Sequence, residues 1–478
     1  MRRFSLFLVV LWSAIASAGT TPPPVSFVVS QQPVVGLEPY SSAVGDFNRD
    51  GIEDVVITNY ADNSLSMLIG NGDGTFQPAV RIPVGGPPTG VTASDLNQDQ
   101  ILDLIVCIYG THTVQVMIGY GDGTFWPPAN YMAGNSPRQS SVADFNQDGI
   151  PDFVTSNVEG NSVSVFLGNG DGTFQNARTF LVQATAPKTV VAGDVNGDGI
   201  LDLVTGNDVS GNVSVLLGNG DGTFGPAATY PSGPGIRDLQ LADFNLDGIL
   251  DVVTVDGNAY TVSVLIGNGD GTFQGAIPYP VGGAPRSIAV TDYNGDGYLD
   301  LAVVSYAESE LNILLGNGDG TFVVGPTYPV GPQPTSVRAA DFNGDGKTDL
   351  VVTIGGHPNP PVHLQDYAMV FLNSNLSLST TQMIFKARAV GSPSGSQTLQ
   401  LSNLGSTPIS LFGFALGGAD TTDFTEVTNC KRSIPAGGQC QVRITFTPGA
   451  TGTRTASLMI ADTSVASPQA IALQGTGK

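Results

Sequence analysis

Seven times along this chain an aspartate, an asparagine and an aspartate stand at alternate positions, and a further aspartate follows four residues after the third of them. In the fourth copy these are Asp194, Asn196, Asp198 and Asp202, with Gly199 at the sixth position. The spacing is that of a calcium loop. Hard oxygen ligands at positions one, three and five can wrap a cation, a glycine at six permits the positive φ that turns the chain, and position seven offers its backbone carbonyl. An EF-hand would need a glutamate at position twelve, where this chain has Thr205 inside an apolar run, so position nine must close the shell.

The expected side-chain ligands are therefore Asp46, Asn48, Asp50 and Asp54 in the first loop, and Asp95, Asn97, Asp99 and Asp103 in the second. Asp144, Asn146, Asp148 and Asp152 follow, then the fourth loop already given, then Asp243, Asn245, Asp247 and Asp251. Asp292, Asn294, Asp296 and Asp300 make the sixth loop, and Asp341, Asn343, Asp345 and Asp349 the seventh. The carbonyls of Ile52, Ile101, Ile150, Ile200, Ile249, Tyr298 and Lys347 occupy position seven.

Successive loops begin 49 residues apart, with a single interval of 50. Repetition at that period means an array, and four short strands fit into each unit where no amphipathic helix period does, which predicts β-propeller blades. An apolar segment such as SIAVTDY enters the loop, LDLAVV leaves it, VSVLLG returns, and the fourth strand is expected to start at the phenylalanine of GDGTF. The GDGTF turns, centred on Asp73, Asp122, Asp171, Asp221, Asp270 and Asp319, suit a hairpin needing positive φ, with a ligand role for their aspartates as the alternative. The seventh unit ends instead at Val370 to Asn375, without that turn. The segment around Ser26 to Val29 matches the tail of a unit but stands before the first loop, and is expected to supply the missing outer strand.

The formal charge of −23 is mostly local, because three aspartates in each of seven loops account for 21 of the 41 acidic residues. Losing Arg2 and Arg3 with a leader takes −23 to −25, and seven divalent ions add fourteen, leaving −11. No basic stripe exists to release counterions from phosphate, so a nucleic-acid partner is disfavoured. The first 18 residues have a basic start, an apolar run and a small-residue site at Ala16 to Ala18, which reads as a secretory signal peptide and not a membrane span. Residues 19–24 form a proline-rich linker. Cys430 and Cys440 sit close enough in sequence to form a disulfide, in keeping with export, while Cys107 in the run LIVCI reads as a buried small hydrophobe.

The repeat array, residues 25–376, resembles the FG-GAP or VCBS repeats of integrin-α-like propellers, through its D-x-N-x-D-G-x-x-D loops and LLGNGDGTF segments. Residues 377–478 carry alternating runs such as QTLQLSN and QVRITFTP, and are similar to immunoglobulin-like modules of the abnormal-spindle and hydin (choice-of-anchor D) type. The expected fold is all-β, a seven-bladed propeller followed by a small immunoglobulin-like sandwich. The resemblance implies calcium at positions one, three, five and nine, up to seven ions. Gln100 replaces the sixth-position glycine of the second loop, so that loop is expected to bind most weakly. The seventh unit carries an insertion, GGHPNPPVHLQDY, between its second and third strands.

Function is expected on the face opposite the loops, which integrin-like propellers use for partners. Arg138, Lys188 and Arg286 each follow a proline where a unit begins, and Arg237 sits in the equivalent GPGIR. They could hold an anionic group near the axis, or form a solvated ring neutralised by backbone carbonyls. Tyr60, Tyr109 and Tyr306 each lie six residues after a position-nine aspartate, and could stack on sugar rings or pack between blades. With three histidines, and no nucleophile elbow or HExxH helix, the chain is not expected to be an enzyme. The leading expectation is a secreted, monomeric module that binds an extracellular protein or glycan. A polysaccharide lyase or hydrolase, or an architectural part of a surface assembly, are the alternatives.

Overall fold

The computed structural model describes residues 25–355, 366–380, 382–405, 407–462, 464 and 469–478. The expected signal peptide and linker, and most of the insertion from His357 onward, lie outside these residues. No helix among the described residues is long and apolar enough to cross a membrane.

The array folds as seven four-stranded antiparallel sheets. In the fourth, the strands are Pro187–Gly193, Asp202–Asn207, Asn212–Leu216 and Ala228–Pro231, paired in sequence order. Every second strand starts on the position-nine aspartate, and all six of its residues are buried in all seven sheets. A strand with neighbours on both edges and apolar sheets on both faces has no polar face to show, which is why LDLVTG-like runs lack strict alternation. The fourth strands of the first five sheets are largely exposed and four residues long.

In those sheets the fourth strand does not start at the GDGTF phenylalanine. Phe76, Phe125, Phe174, Phe224 and Phe273 each make a single bridge to the glycine six residues earlier, and the strand begins four residues beyond. Only in the sixth sheet does it run from the phenylalanine, as Phe322–Pro329. The ring is better used elsewhere: Phe76 packs against Phe342, Phe125 against Phe47 and Phe224 against Phe145, each covering residue two of a neighbouring loop.

The buried clusters lie between sheets. Val154, Val163 and Val165 of the third sheet meet Val190, Leu203 and Leu216 of the fourth. The seventh sheet packs on the first through Val351, Val370 and Leu372 against Val55, Ile57 and Leu68. That seventh sheet has the order Phe27–Gln31, Tyr367–Asn373, Asp349–Ile354, Pro334–Ala340, so its outer strand comes from the N-terminal side of the array.

Beyond Asn375 a four-stranded and a five-stranded sheet enclose one further cluster, resembling a small β-sandwich. The five-stranded sheet is mixed, since Gln382–Ile384 runs parallel to Gln469–Gly477. Cys430 and Cys440 are joined by a disulfide, with Cα atoms 4.9 Å apart. Cys107 is buried, and burial pushes its thiol up to about 12.

Candidate metal centre

Each Asp-rich loop is a set of carboxylates folded onto the loop's own amides. In the first, Asp46 accepts from the N–H of Asp50 at 3.1 Å and of Gly51 at 2.8 Å, one on each oxygen. Asn48 Oδ1 shares the Asp50 amide at 3.0 Å, and Asp50 Oδ1 accepts from Ile52 N–H at 2.9 Å. These bonds recur in the fourth and sixth loops, around Asp194 and Asp292. Positions one and three therefore converge on one amide, which is what the alternate spacing is for.

Position nine is different. Asp54 is wholly buried, and its two oxygens accept from Phe47 N–H at 3.0 Å and Gly70 N–H at 2.8 Å. The same pair of bonds forms at Asp103, Asp152, Asp202, Asp251 and Asp300. At Asp349 the second donor is Asn373 N–H, 2.7 Å away. This aspartate thus ties the start of the loop to the end of the third strand. Burial, with a smaller contribution from the position-five and position-one carboxylates, raises Asp54, Asp103 and Asp152 to about 6 and Asp300 to about 7. Asp202 and Asp251 move in the same direction for the same reasons, and Asp349 rises to about 7.

Among the described residues no three His, Cys, Asp or Glu side chains stand together as a metal cage. The donor chemistry nonetheless suits a hard cation. Every loop offers carboxylate, amide and carbonyl oxygens, with no sulfur or imidazole. The loops resemble calcium-binding loops. The second keeps the pattern although Gln100 stands at position six, with φ 67° where the other loops have glycine at 80–89°.

The loops are also bridged to their neighbours, which sequence reasoning missed. Gly74 N–H donates to Phe342 O at 3.0 Å, Gly123 to Phe47 O, Gly222 to Phe145 O and Gly320 to Phe244 O, so a GDGT turn holds residue two of the preceding sheet's loop. The seventh unit lacks the turn, and there Asn373 Nδ2 donates to Tyr293 O at 2.8 Å in its place. The six turn aspartates accept from the threonine two residues on.

At the far end of the sheets, the second residue of each first strand lines one cavity: Tyr40, Thr89, Arg138, Lys188, Arg237, Arg286 and Thr335. The four predicted basic residues are thus brought together, and among the described residues none of them donates a hydrogen bond to a backbone carbonyl. Lys188 and Arg237 share Asp208, Arg237 Nη1 at 3.4 Å, while Arg138 lies 4.8 Å over the Tyr40 ring and Arg286 4.4 Å over Tyr306. Burial and the Arg138 and Arg237 charges lower Lys188 to about 8, against the pull of Asp208. Tyr60 packs against both Tyr40 and Tyr109, with centroids 6.1 and 6.4 Å apart. Tyr40 and Asp208 carried no signal of their own in the sequence; Tyr40 was findable only as the member of the basic register in the first sheet.

Segments 46–106, 95–155, 144–205, 194–254, 243–303 and 292–352 each match the family described as FG-GAP-like repeat. No curated protein matches the sequence. Among solved structures, the chain is similar to BBS1N, in its complex with ARL6DN, at 13% identity over 73% of this chain and 98% of that one, with a TM-score of 0.53. It is also similar to an Agrocybe aegerita lectin described for recognition of non-reducing terminal N-acetylglucosamine, at 23% identity over 61% of this chain and 80% of that one, TM-score 0.45. PapD-like domain 7 of human CEP192 aligns at 18% identity over 22% of this chain and 85% of its own, TM-score 0.17. At such identities the BBS1N likeness speaks of the fold alone.

Proposed function

The chain belongs to the FG-GAP-like repeat family, and from that premise we propose that it is a secreted, calcium-binding, seven-bladed propeller serving as a non-catalytic binding or adhesion module. The carrying observation is the contrast along each first strand. One end meets an Asp-rich loop of the same form in every sheet; the other meets a cavity whose lining changes from sheet to sheet. Seven loops charged by Ca²⁺ stiffen a disc, and the far face is left to recognise an extracellular protein or glycan.

Closure of the disc is supported by the packing of the seventh sheet on the first and by the Phe27–Gln31 strand in the seventh sheet. The limits 25–376 for the propeller and 377–478 for an immunoglobulin-like module follow the end of the repeat. Export by the leader agrees with the disulfide, since the cytosol disfavours such bonds. Calcium would be held by positions one, three, five and nine, supplying charge neutralisation among clustered carboxylates, with the Gln100 loop weakest.

The test is calorimetric titration of the metal-free chain with Ca²⁺, followed by a glycan and matrix-protein binding screen in calcium and in chelator. Several sites filling, and a partner captured only in calcium, are expected. No calcium heat, or capture indifferent to chelator, would overturn the reading.

A further inference from the structure

The far-end cavity gathers positive charge in a strongly acidic chain. Besides the arc Arg138, Lys188, Arg237 and Arg286 on four successive sheets, Arg338 of the seventh sheet lines it, against one lining carboxylate, Asp238. Asp238 is turned into the sheet, accepting from Ser287 Oγ at 2.9 Å and from the amides of Leu239 and Ile288. Asp208 already serves two cations. Among the described residues Arg138 and Arg286 have tyrosine faces and no carboxylate partner, and a ring face stabilises a cation without satisfying its N–H donors.

A second, independent observation concerns the donors of Arg286. Arg286 Nε is buried and finds no hydrogen-bond partner among the described residues. Buried donors in folded chains are almost always paired, so this guanidinium, on a residue that lines the cavity, has donor capacity that the described residues leave unused. An oxyanion accepts from guanidinium forks and ammonium groups, and binds most strongly where no other acceptor competes.

We propose that this cavity takes one oxyanion group, a carboxylate or sulfate, carried on an acidic glycan. The cavity volume of about 60 Å³ admits such a group but not a whole sugar ring. The rings beside it, Tyr40, Tyr60 and Tyr109, form a tilted run, and Tyr109 is 37% exposed. Aromatic faces edged by hydroxyls suit the apolar faces and hydroxyl rims of pyranoses, so the ring would lie on tyrosine while its charged group enters the arc. This inference rests on the binding-module reading and names its ligand class.

The experiment is titration of the full mature chain, in constant calcium, with uronate oligosaccharides, sulfated oligosaccharides, the same uronates after carboxyl reduction, and polyglutamate. Binding of a uronate or sulfated glycan is expected, the two arms telling which group is taken. It should weaken about tenfold in Arg286→Gln and in Arg138→Gln, and fall with added salt. Should Arg286→Gln fold poorly, Arg138→Gln and the protection of wild-type melting temperature by free sulfate carry the test. Equal binding of reduced and acidic glycans, or tighter binding of polyglutamate, would overturn the acidic-glycan inference and leave the binding module standing. Failure of every glycan and protein in the broader screen would remove the module itself.

Discussion

The two ends of these sheets obey opposite rules. At the Asp-rich end, the same side-chain positions fold onto the loop's own amides in nearly the same pattern, loop after loop, and the position-nine aspartate is buried in all seven. About six residues away along the first strand, on the order of 20 Å at strand rise, one register position reads Tyr40, Thr89, Arg138, Lys188, Arg237, Arg286 and Thr335. An end where every copy agrees is specified by folding; an end where copies differ is free to specify something else. One part of the molecule holds shape, and the other can recognise.

If the repeated end holds shape through an ion, removing the ion has the largest effect available. At a hundredfold excess over its dissociation constant, a site adds about 2.7 kcal/mol to the native state. Even partial filling of several sites should then separate the melting temperatures in calcium and in chelator by on the order of 10–20 °C. A difference within scan error would break the contrast between the two ends at its root.

Position nine and position five should part company when mutated. Asp202→Ala orphans the buried amide of Val195 and the half-buried amide of Gly218, and should cost on the order of 2–4 kcal/mol in denaturant titration even under chelator. Asp198 is exposed and its Ile200 amide can turn to water, so Asp198→Ala should change chelated stability by about 0.5 kcal/mol or less while losing one calcium equivalent. Equal losses in chelator would mean that the two positions are ligands of one kind.

The raised carboxyls give a pH test whose sign differs between the two states. Asp103 protonates at about 6 when folded and near 3.8 when not, so between those values the folded chain holds the extra proton. That contribution is complete below 3.8 and is lost as pH rises through 6, or through 7 for Asp300 and Asp349. The chelated protein should therefore melt higher at pH 5 than at pH 7.5. A bound Ca²⁺ competes with the same protons, so the gap between calcium and chelator should narrow as pH falls over that window; a widening gap would contradict it.

Much of the repeated end was legible because its information is local. Spacing within nine residues fixes which oxygens meet one amide, and a 49-residue period fixes the number of sheets. What stayed hidden needed partners far along the chain. Asp54 meets Gly70 sixteen residues away, Gly74 meets Phe342 in another sheet, and Asn373 replaces a whole turn by reaching Tyr293. Placing the fourth strand at the GDGTF phenylalanine erred for the same reason, since Phe76 is drawn to Phe342 across the sheet boundary. At the far end the basic arc was legible as a register, but its counter-ion Asp208 and its tyrosine covers come from other strands and loops.

The smallest effect sits where the repeated end itself departs from its rule. Gln100 holds φ at 67° where Gly149 and Gly199 hold 80° and 81°, because a Cβ in left-handed backbone crowds the following carbonyl and settles nearer the αL minimum. The strain costs about 1–2 kcal/mol, and a glycine there would return roughly 0.5–1 kcal/mol of it to unfolded-chain entropy. Gln100→Gly should thus stabilise the chelated protein by about 0.5–1 kcal/mol in denaturant titration. It should do more in calcium, because freeing φ lets the second loop adopt the turn of the other six, and its ion should bind more tightly by calorimetry. Gain in chelator with no gain in affinity would mean that the glutamine strains the fold without weakening the site. No gain in either state would mean that loop two tolerates the Cβ outright, and that the Asp-rich end is less uniform in its demands than its uniform bonds suggest.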